Sequence, residues 1–206
     1  VVFPELALCG YPPEDLLAAL GFVDAQERAF RSLQRQLPPG LAGAFGHVSK
    51  APHGSARALA NSLSVILDGR VVFRQDKTLL PTYDVFDEAR YFEPSAQRSV
   101  CEYRGKRIGF AICEDLWAEV EPMPGARYAL DPPRDLLNLG ADLIIVPSAS
   151  PYQLDKLALR IRLCSELATE GALPVAYCNI SGANDSLVFD GRSFLVDKNG
   201  RLCAMG

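Results

Sequence analysis

A cysteine at the end of an apolar run is the residue best placed for chemistry in this chain. Residues 108–117 have the sequence IGFAICEDLW, in which Cys113 follows the apolar run and precedes two acids. Apolar runs of this length are typical of buried strands, and in open α/β sheets ligands gather beyond the carboxyl ends of the strands. We therefore predict that the Cys113 thiol is a nucleophile.

Three other predicted strand ends carry polar side chains that could assist this thiol. An acid, Glu5, an amine, Lys77, and a hydroxyl, Ser150, each follow an apolar run. A thiolate that attacks an amide or nitrile carbon requires a base, a group that stabilises the oxyanion and an acid for the departing nitrogen. Glu5 can accept the proton and return it to the nitrogen, and the Lys77 ammonium can stabilise the oxyanion. The residues alone thus permit a thiol amidase, although spacing in the sequence cannot bring them together.

The composition limits the classes of function. The 206 residues are 49% hydrophobic, enough for one buried core, and no apolar segment is long enough to span a bilayer. A net charge of -4 without a basic block argues against a nucleic-acid partner. The six cysteines are dispersed without a CxxC pair, and His47 and His53 have no cysteine or carboxylate at ligand spacing. We expect a cytoplasmic protein with no metal site and no membrane partner.

Strands and helices alternate in the predicted elements, which indicates an α/β fold. Asp-Gly at residues 68–69 predicts a hairpin over residues 61–77, and a second hairpin is predicted over residues 99–113. A proline and two acids predict a helix that begins near Glu14. The other predicted elements are strands at residues 1–4, 41–48, 143–146 and 174–179, helices at residues 134–139 and 154–170, an irregular segment at residues 121–133, and β turns at residues 190–191 and 199–200.

Three short motifs around the candidate residues resemble those of the nitrilase superfamily of carbon–nitrogen hydrolases, in their usual order. They are FPEL at residues 3–6, KTLLP at residues 77–81 and CEDLW at residues 113–117. The resemblance implies a nitrilase-type, four-layer αββα sandwich with Cys113, Glu5 and Lys77 as its catalytic residues. It also implies further elements before the Glu5 strand and after the last hairpin, so we expect a partial domain, incomplete at both termini.

The segments between these motifs resemble one branch of the superfamily, the glutaminase domains of glutamine-dependent NAD synthetases. This resemblance is carried by LCGYPPEDLL at residues 8–17, YDVFDEARYF at residues 83–92, SASPY at residues 148–152 and LVFDGRSF at residues 187–194. It implies hydrolysis of L-glutamine through a Cys113 thioester, with the ammonia used to amidate deamido-NAD. The C-terminal, ATP-dependent synthetase domain, with its ATP and Mg, is expected outside residues 1–206, which themselves need no cofactor. A homo-oligomer is also implied.

The same branch implies that Tyr83, Ser150 and Lys156 bind the glutamine. A phenol and a hydroxyl can hydrogen-bond the polar ends of an amino acid, and an ammonium can pair with its α-carboxylate. Without the resemblance, Tyr83 could be a packing aromatic and Lys77 an ordinary solvated lysine. Lys156 could simply begin a helix, and Ser150 could be a helix N-cap.

Other patterns leave less room for chemistry. SGANDS at residues 181–186 is similar to the SGGxDS pyrophosphate loop of ATP-dependent amidating enzymes, but its second glycine is missing and no helix pattern follows, so we predict no nucleotide site. We expect Cys164, Cys178 and Cys203 to pack in the core as small hydrophobic residues, and Cys9 and Cys101 to be structural as well.

Two alternative hypotheses stand beside the glutaminase. The chain could be a free-standing nitrilase-family amidase that acts on another amide, a carbamoyl compound or a nitrile. It could also be a catalytically silent fragment that serves as an assembly surface.

Overall fold

The computed structural model describes residues 1–118, 120 and 128–206 of an α/β protein. The strands found there are β1 (Gly43–Lys50), β2 (Leu59–Leu67), β3 (Arg70–Asp76), β4 (Val100–Tyr103), β5 (Lys106–Phe110), β6 (Leu143–Ser148), β7 (Val175–Asn179), β8 (Ser181–Asn184), β9 (Leu187–Asp190), β10 (Phe194–Val196) and β11 (Leu202–Met205). The α-helices are α1 (Phe22–Gln36), α2 (Pro132–Asn138) and α3 (Lys156–Gly171), with 3-10 helices at Glu14–Ala18, Glu88–Arg90 and Cys113–Trp117.

The described strands form two larger sheets and a small hairpin. β1, β2 and β3 make an antiparallel sheet in that order. The second sheet has the order β11-β10-β7-β6-β5-β4, in which β5, β6 and β7 are parallel and the outer pairs are antiparallel. β8 and β9 pair with each other. The parallel centre brings the carboxyl ends of β5 and β6 to one edge, where Cys113 and Ser150 follow.

Successive side chains on the strands face opposite layers, and this alternation builds the sandwich. Ala44 and Val65 of the first sheet share a buried cluster with Phe110 and Ile145 of the second, so the sheets pack face to face. On the outer face of the first sheet, Phe30 of α1 packs with Phe45 and Ile66. On the outer face of the second, α2 and α3 contribute Leu136, Cys164 and Leu167 to a cluster with Ile144 and Val175. The layers are α1, two sheets, and α2 with α3, which confirms the predicted αββα sandwich.

The N-terminal elements differ from the prediction in two places. Residues 1–4 make an isolated parallel bridge, Val2 to Ala44, rather than a full strand. The helix predicted from Glu14 is divided into a 3-10 turn, Glu14–Ala18, and α1, which begins only at Phe22. The break falls at Gly21, whose φ of 82° is left-handed and cannot belong to a right-handed helix.

Most of the remaining predictions hold with shifts at the boundaries, but residues 190–191 do not form the predicted turn, because β9 ends at Asp190 and pairs with β8 while β10 pairs with β7 and β11. Both hairpin turns have two successive left-handed residues, as a two-residue primed turn requires: φ is 50° and 73° at residues 68–69 and 50° and 71° at residues 104–105. The second hairpin ends at Phe110 rather than at residue 113. Of the predicted irregular segment, residues 121–127 lie outside the described residues, and Pro132 already opens α2. Among the described helices, none has the length and apolar character needed to cross a bilayer.

Gly46 in β1 supplies a testable constraint on the segment that carries Glu5. A methyl group on Gly46 would lie 2.3 Å from the Pro4 carbonyl oxygen and 2.4 Å from the Leu6 amide nitrogen. Backbone atoms cannot yield as a flexible side chain can, so Gly46→Ala must displace residues 4–6. We expect the free energy of unfolding in urea to fall by about 3 kcal/mol, the upper end for overpacking.

Gly109→Ala is the matched control, since the three atoms nearest to its methyl group would all belong to the Leu136 side chain, the first at 3.1 Å. We expect a smaller loss of stability there. Equal losses in the two variants would contradict the close approach of β1 to the Glu5 segment.

Candidate active site

Cys113 lies beyond β5, at the start of the 3-10 helix Cys113–Trp117. Its side chain is buried, with 9% of the residue exposed. Its φ of 47° is left-handed, which is uncommon for a residue with a Cβ and persists only where the surroundings fix it. The nucleophile candidate therefore has an imposed backbone conformation at the edge of the second sheet.

Asp115 connects the Cys113 turn to the segment that follows Lys77. Its Oδ2 accepts a hydrogen bond from the Ile112 amide at 2.9 Å, and its Oδ1 accepts from the Thr78 and Leu79 amides at 3.0 and 2.8 Å. Burial raises the pKa of this carboxyl to about 6, and the backbone donors oppose that rise. One buried side chain thus fixes the relative position of two strand ends from different sheets.

The Lys77 ammonium lies between two buried carboxylates. Its Nζ donates to Glu5 Oε1 at 2.6 Å and to Glu88 Oε1 at 2.7 Å. Glu5, Lys77 and Glu88 are 0%, 1% and 5% exposed, so water contributes little to their solvation. Other donors complete the carboxylates: the Ala149 amide donates to Glu5 Oε2 at 3.0 Å, and the Tyr11 hydroxyl donates to Glu88 Oε1 at 2.8 Å.

Burial and charge set the protonation of this cluster. Burial lowers the pKa of Lys77, but the nearby Glu5 and Glu88 together raise it by more. The pKa of Lys77 therefore lies well above its ordinary value. Lys77 is therefore an ammonium. Burial raises the pKa of the Cys113 thiol well above its ordinary value, Glu5 adds to the rise, and Lys77 only partly opposes it. The resting thiol is neutral and needs a base to become a nucleophile.

Five of the six predicted site residues line a single cavity. They are Lys77, Tyr83, Cys113, Ser150 and Lys156. Glu5, the sixth, accepts a hydrogen bond from Lys77 Nζ, and Lys77 lines the cavity. The fold thus brings together residues that are far apart in the sequence.

Charged and aromatic side chains line different parts of the cavity wall. Lys156 Nζ lies 5.6 Å from the centre of the Trp117 ring and 6.0 Å from that of Phe86, and burial lowers its pKa. Glu114 Oε1 accepts hydrogen bonds from the Tyr83 and Tyr128 hydroxyls, both at 2.8 Å. An ammonium and a carboxylate therefore face the same cavity as the thiol.

Ser150 is held by the buried Arg160 side chain of α3 and is not the N-cap of that helix. The N-cap interpretation was wrong, because α3 begins at Lys156 and Asp155 occupies the N-cap position. Arg160, which is fully buried, donates through Nε to Ser150 Oγ at 3.2 Å and through Nη2 to the Ser150 carbonyl at 2.9 Å. Its Nη1 pairs with Asp190 at 2.8 Å. The hydroxyl is thereby fixed at the cavity wall.

Glu88, Glu114 and Asn61 contact the site but were not predicted. Residues 79–88, which include Glu88, contain three acids, and the sequence alone does not show which of them is buried. Burial separates them: Glu88 is 5% exposed, whereas the Asp87 side chain is 61% exposed. Glu114 adjoins Cys113, and that adjacency was the available signal.

The sequence profile of the family described as carbon–nitrogen hydrolase matches residues 1–206. This chain belongs to the carbon–nitrogen hydrolase family. Similar proteins include the glutamine-dependent NAD(+) synthetases of Synechocystis sp., 42% identical over 204 residues, and of Xylella fastidiosa, 41% identical over 204 residues. The alignments cover 97% and 98% of this chain but 36% and 34% of those proteins. This carbon–nitrogen hydrolase chain therefore spans about a third of the length of these relatives.

Solved structures resemble this hydrolase over its whole length. The glutamine-dependent NAD+ synthetase from Acinetobacter baumannii, in complex with ADP, has a TM-score of 0.86 and 34% identity, and the match covers 100% of this chain and 36% of that one. An amidase of the nitrilase superfamily from Nesterenkonia has a TM-score of 0.78 and 25% identity, with 100% and 72% covered. One structure of that amidase shows covalent addition of the acetamide moiety of fluoroacetamide at its active-site cysteine.

Two other patterns of this hydrolase have simple structural explanations. Residues 181–186 form strand β8 and the turn into β9, so this segment is a hairpin rather than a loop that opens a helix. Among the other cysteines, Cys164 is buried as expected and Cys101 is buried too, whereas Cys178 is only partly buried and Cys203 lies exposed on β11. Cys203 was therefore wrongly expected to pack in a core.

The pH dependence of stability tests the charge of Glu88. Burial raises its pKa from 4.5 to about 7 against the Lys77 ammonium, and Glu5 adds to the rise. Ionisation is therefore more costly in the folded state, and the associated stability is lost as the pH rises from about 4.5 to about 7. Glutamine cannot ionise, so Glu88→Gln should gain on the order of 3 kcal/mol relative to the unmodified protein across this interval.

Urea unfolding at a series of pH values measures this difference. Glu102→Gln, on an exposed position of β4, is the control and should show no such gain. A difference between Glu88→Gln and the unmodified protein that stays constant with pH would contradict the assigned protonation.

Proposed function

We propose that this chain is the glutamine-hydrolysing domain of a glutamine-dependent NAD synthetase. The proposal is carried mainly by one observation, the Lys77 ammonium held between Glu5 and Glu88 at the cavity that contains Cys113. The synthetases of Synechocystis and Xylella support it, since their similarity extends over nearly the whole chain. The ATP- and Mg-dependent amidation of deamido-NAD belongs to the part of such a synthetase outside these residues.

The first half of the reaction forms a thioester and releases ammonia. Glu5 takes the thiol proton, and the Cys113 sulfur attacks the side-chain carbonyl carbon of glutamine. An ammonium has three N–H donors; Lys77 gives two to Glu5 and Glu88, and the third stabilises the oxyanion. Glu5 then protonates the amide nitrogen as the C–N bond breaks, so ammonia leaves and the acyl group stays on sulfur.

The second half of the reaction regenerates the thiol. Glu5 accepts a proton from a water molecule, whose oxygen attacks the thioester carbon, and Lys77 again stabilises the oxyanion. The C–S bond breaks, the sulfur takes the proton back from Glu5, and glutamate is released. Glu88 does not exchange protons in this scheme; it is a positioning residue that keeps Lys77 charged and in place.

Charge complementarity within the cavity selects an amino acid as the substrate. The Lys156 ammonium pairs with the α-carboxylate of glutamine, and the Glu114 carboxylate accepts from its α-ammonium. Tyr83 and Ser150 supply hydroxyls at the same wall.

A cytoplasmic location and a homo-oligomeric assembly belong to the proposal as well; the free state of the six cysteines agrees with a reducing compartment.

A free-standing amidase is the second candidate function. The Nesterenkonia amidase favours it, because the match covers 72% of that protein, twice the share of the synthetase from Acinetobacter baumannii. The paired charges of Lys156 and Glu114 favour glutamine, since a simple amide carries no groups to match them.

Trapping with a diazoketone analogue of glutamine tests the thiol chemistry in the full-length protein. We expect hydrolysis of glutamine to glutamate and ammonia, and one covalent adduct on Cys113 by intact mass and peptide mapping. Cys113→Ala should lose both the activity and the adduct while it keeps its folded circular-dichroism spectrum. Turnover of simple amides without glutamine would favour the free-standing amidase, and a folded protein that neither reacts nor turns over would favour the silent assembly surface.

Glutaramate, which lacks only the α-amino group of glutamine, tests the role of Glu114. A charge-assisted hydrogen bond contributes about 1.5–3 kcal/mol, so Glu114→Gln should reduce the preference for glutamine over glutaramate by about 10- to 100-fold in kcat/KM. Lys156→Met is the matched control, because both substrates carry the carboxylate and both should lose affinity alike. An unchanged preference in Glu114→Gln would contradict the assignment.

A further inference from the structure

Asn61 places one side-chain amide against both carboxylates of the site. It lies on β2 and is 1% exposed. Its Nδ2 donates to Glu5 Oε1 at 2.7 Å and to Glu88 Oε2 at 3.3 Å. Its backbone carbonyl accepts from the Lys77 amide at 2.8 Å. One residue therefore contacts all three charged members of the cluster.

The orientation of the Asn61 amide is determined by charge. The reversed orientation would place Oδ1 against two carboxylates, which repels, whereas Nδ2 in that position donates to both. Among the described residues, Oδ1 has no hydrogen-bond partner, and a buried polar atom without a partner is costly. The two hydrogen bonds from Nδ2 must offset that cost, which indicates that Asn61 acts by binding the two carboxylates.

The contacts of Asn61 also distinguish the two oxygens of Glu5. Oε1 accepts from both Lys77 and Asn61, whereas Oε2 accepts only the Ala149 amide among the described contacts. A carboxylate has about four acceptor sites, two on each oxygen. With Oε1 occupied by two donors, Oε2 retains the capacity to receive a proton from Cys113.

The cluster carries more negative than positive charge, so neutral donors matter. Two carboxylates share one ammonium, and hydrogen bonds to the charged form favour ionisation. The titratable groups that interact with these carboxylates are Lys77 from the end of β3, Cys9 and Tyr11 from the N-terminal loop, Cys113 from the 3-10 helix, and Tyr128. Asn61 is the neutral side-chain donor that spans both carboxylates.

We propose that Asn61 is a positioning residue whose two hydrogen bonds favour the carboxylate forms of Glu5 and Glu88 on either side of Lys77 and leave Glu5 Oε2 available to take the Cys113 proton. The proposal rests on the proposed amide hydrolysis at this site. If Asn61 cannot donate, one carboxylate takes up a proton at a higher pH, and the base for Cys113 is lost over the acidic part of the pH range.

Asn61→Asp is the sharpest variant, since it keeps the shape, replaces the donor with an acceptor and adds a third carboxylate. We expect the acidic limb of the pH profile of kcat/KM for glutamine to move up by about one pH unit or more, so that activity near neutral pH falls about tenfold and recovers at higher pH. Asn61→Ala removes the donor without a new charge and should shift the limb in the same direction by less. It decides the question if Asn61→Asp does not fold.

Ser62→Ala is the matched control on the same strand. Ser62 is fully buried and its hydroxyl contacts Ser49 and Asp76 instead of the cluster. It should lower the midpoint of urea unfolding without moving the limb, as a purely structural role would. A folded Asn61→Asp or Asn61→Ala protein with the wild-type limb would overturn the proposal.

Alkylation of Cys113 by iodoacetamide separates this proposal from the proposed function. The rate of alkylation as a function of pH reports removal of the thiol proton and needs no glutamine turnover. If the wild-type protein hydrolyses no glutamine, the proposed function is wrong. The alkylation profile still tests Asn61 in that case: a shift in Asn61→Asp would support its role, and no shift would contradict it.

Discussion

The buried ammonium of Lys77 is the interaction on which the site depends. Removing three charges from water is costly, and only close pairing with further hydrogen bonds offsets that cost. Glu5 and Glu88 lie 2.6 and 2.7 Å from Nζ, and Tyr11 and the Ala149 amide complete the carboxylates. An ammonium fixed in this way supplies a preorganised donor for an oxyanion, because its position is set before any substrate binds.

At this site, strand ends from both sheets of the sandwich are held together by hydrogen bonds and close packing. Lys77 leaves the first sheet and Cys113 leaves the second, and Asp115 joins them through three backbone amides. The Glu5 segment approaches β1 so closely that Gly46 has no room for a side chain. Arg160 secures the Ser150 loop from the helical layer. Each charged group thus comes from a different part of the chain, and packing between layers sets their distances.

Short motifs made the central residues predictable, and burial made the others unpredictable. Cys113, Glu5 and Lys77 follow apolar runs and lie in recognisable motifs, so their meeting could be expected from the sequence. Glu88 and Asn61 are ordinary residues in the sequence, and their importance comes from being 5% and 1% exposed beside other charges. The start of α1 depended on the left-handed Gly21, and the N-cap interpretation of Ser150 failed because α3 begins six residues later.

A crystal structure of the full-length protein after reaction with the diazoketone analogue tests the central claim most directly. We expect Lys77 Nζ to lie about 3 Å from the carbonyl oxygen of the adduct on Cys113, with Glu5 and Glu88 still bound to the same nitrogen. An adduct whose oxygen points away from Lys77, or a Lys77 that has left either carboxylate, would contradict it.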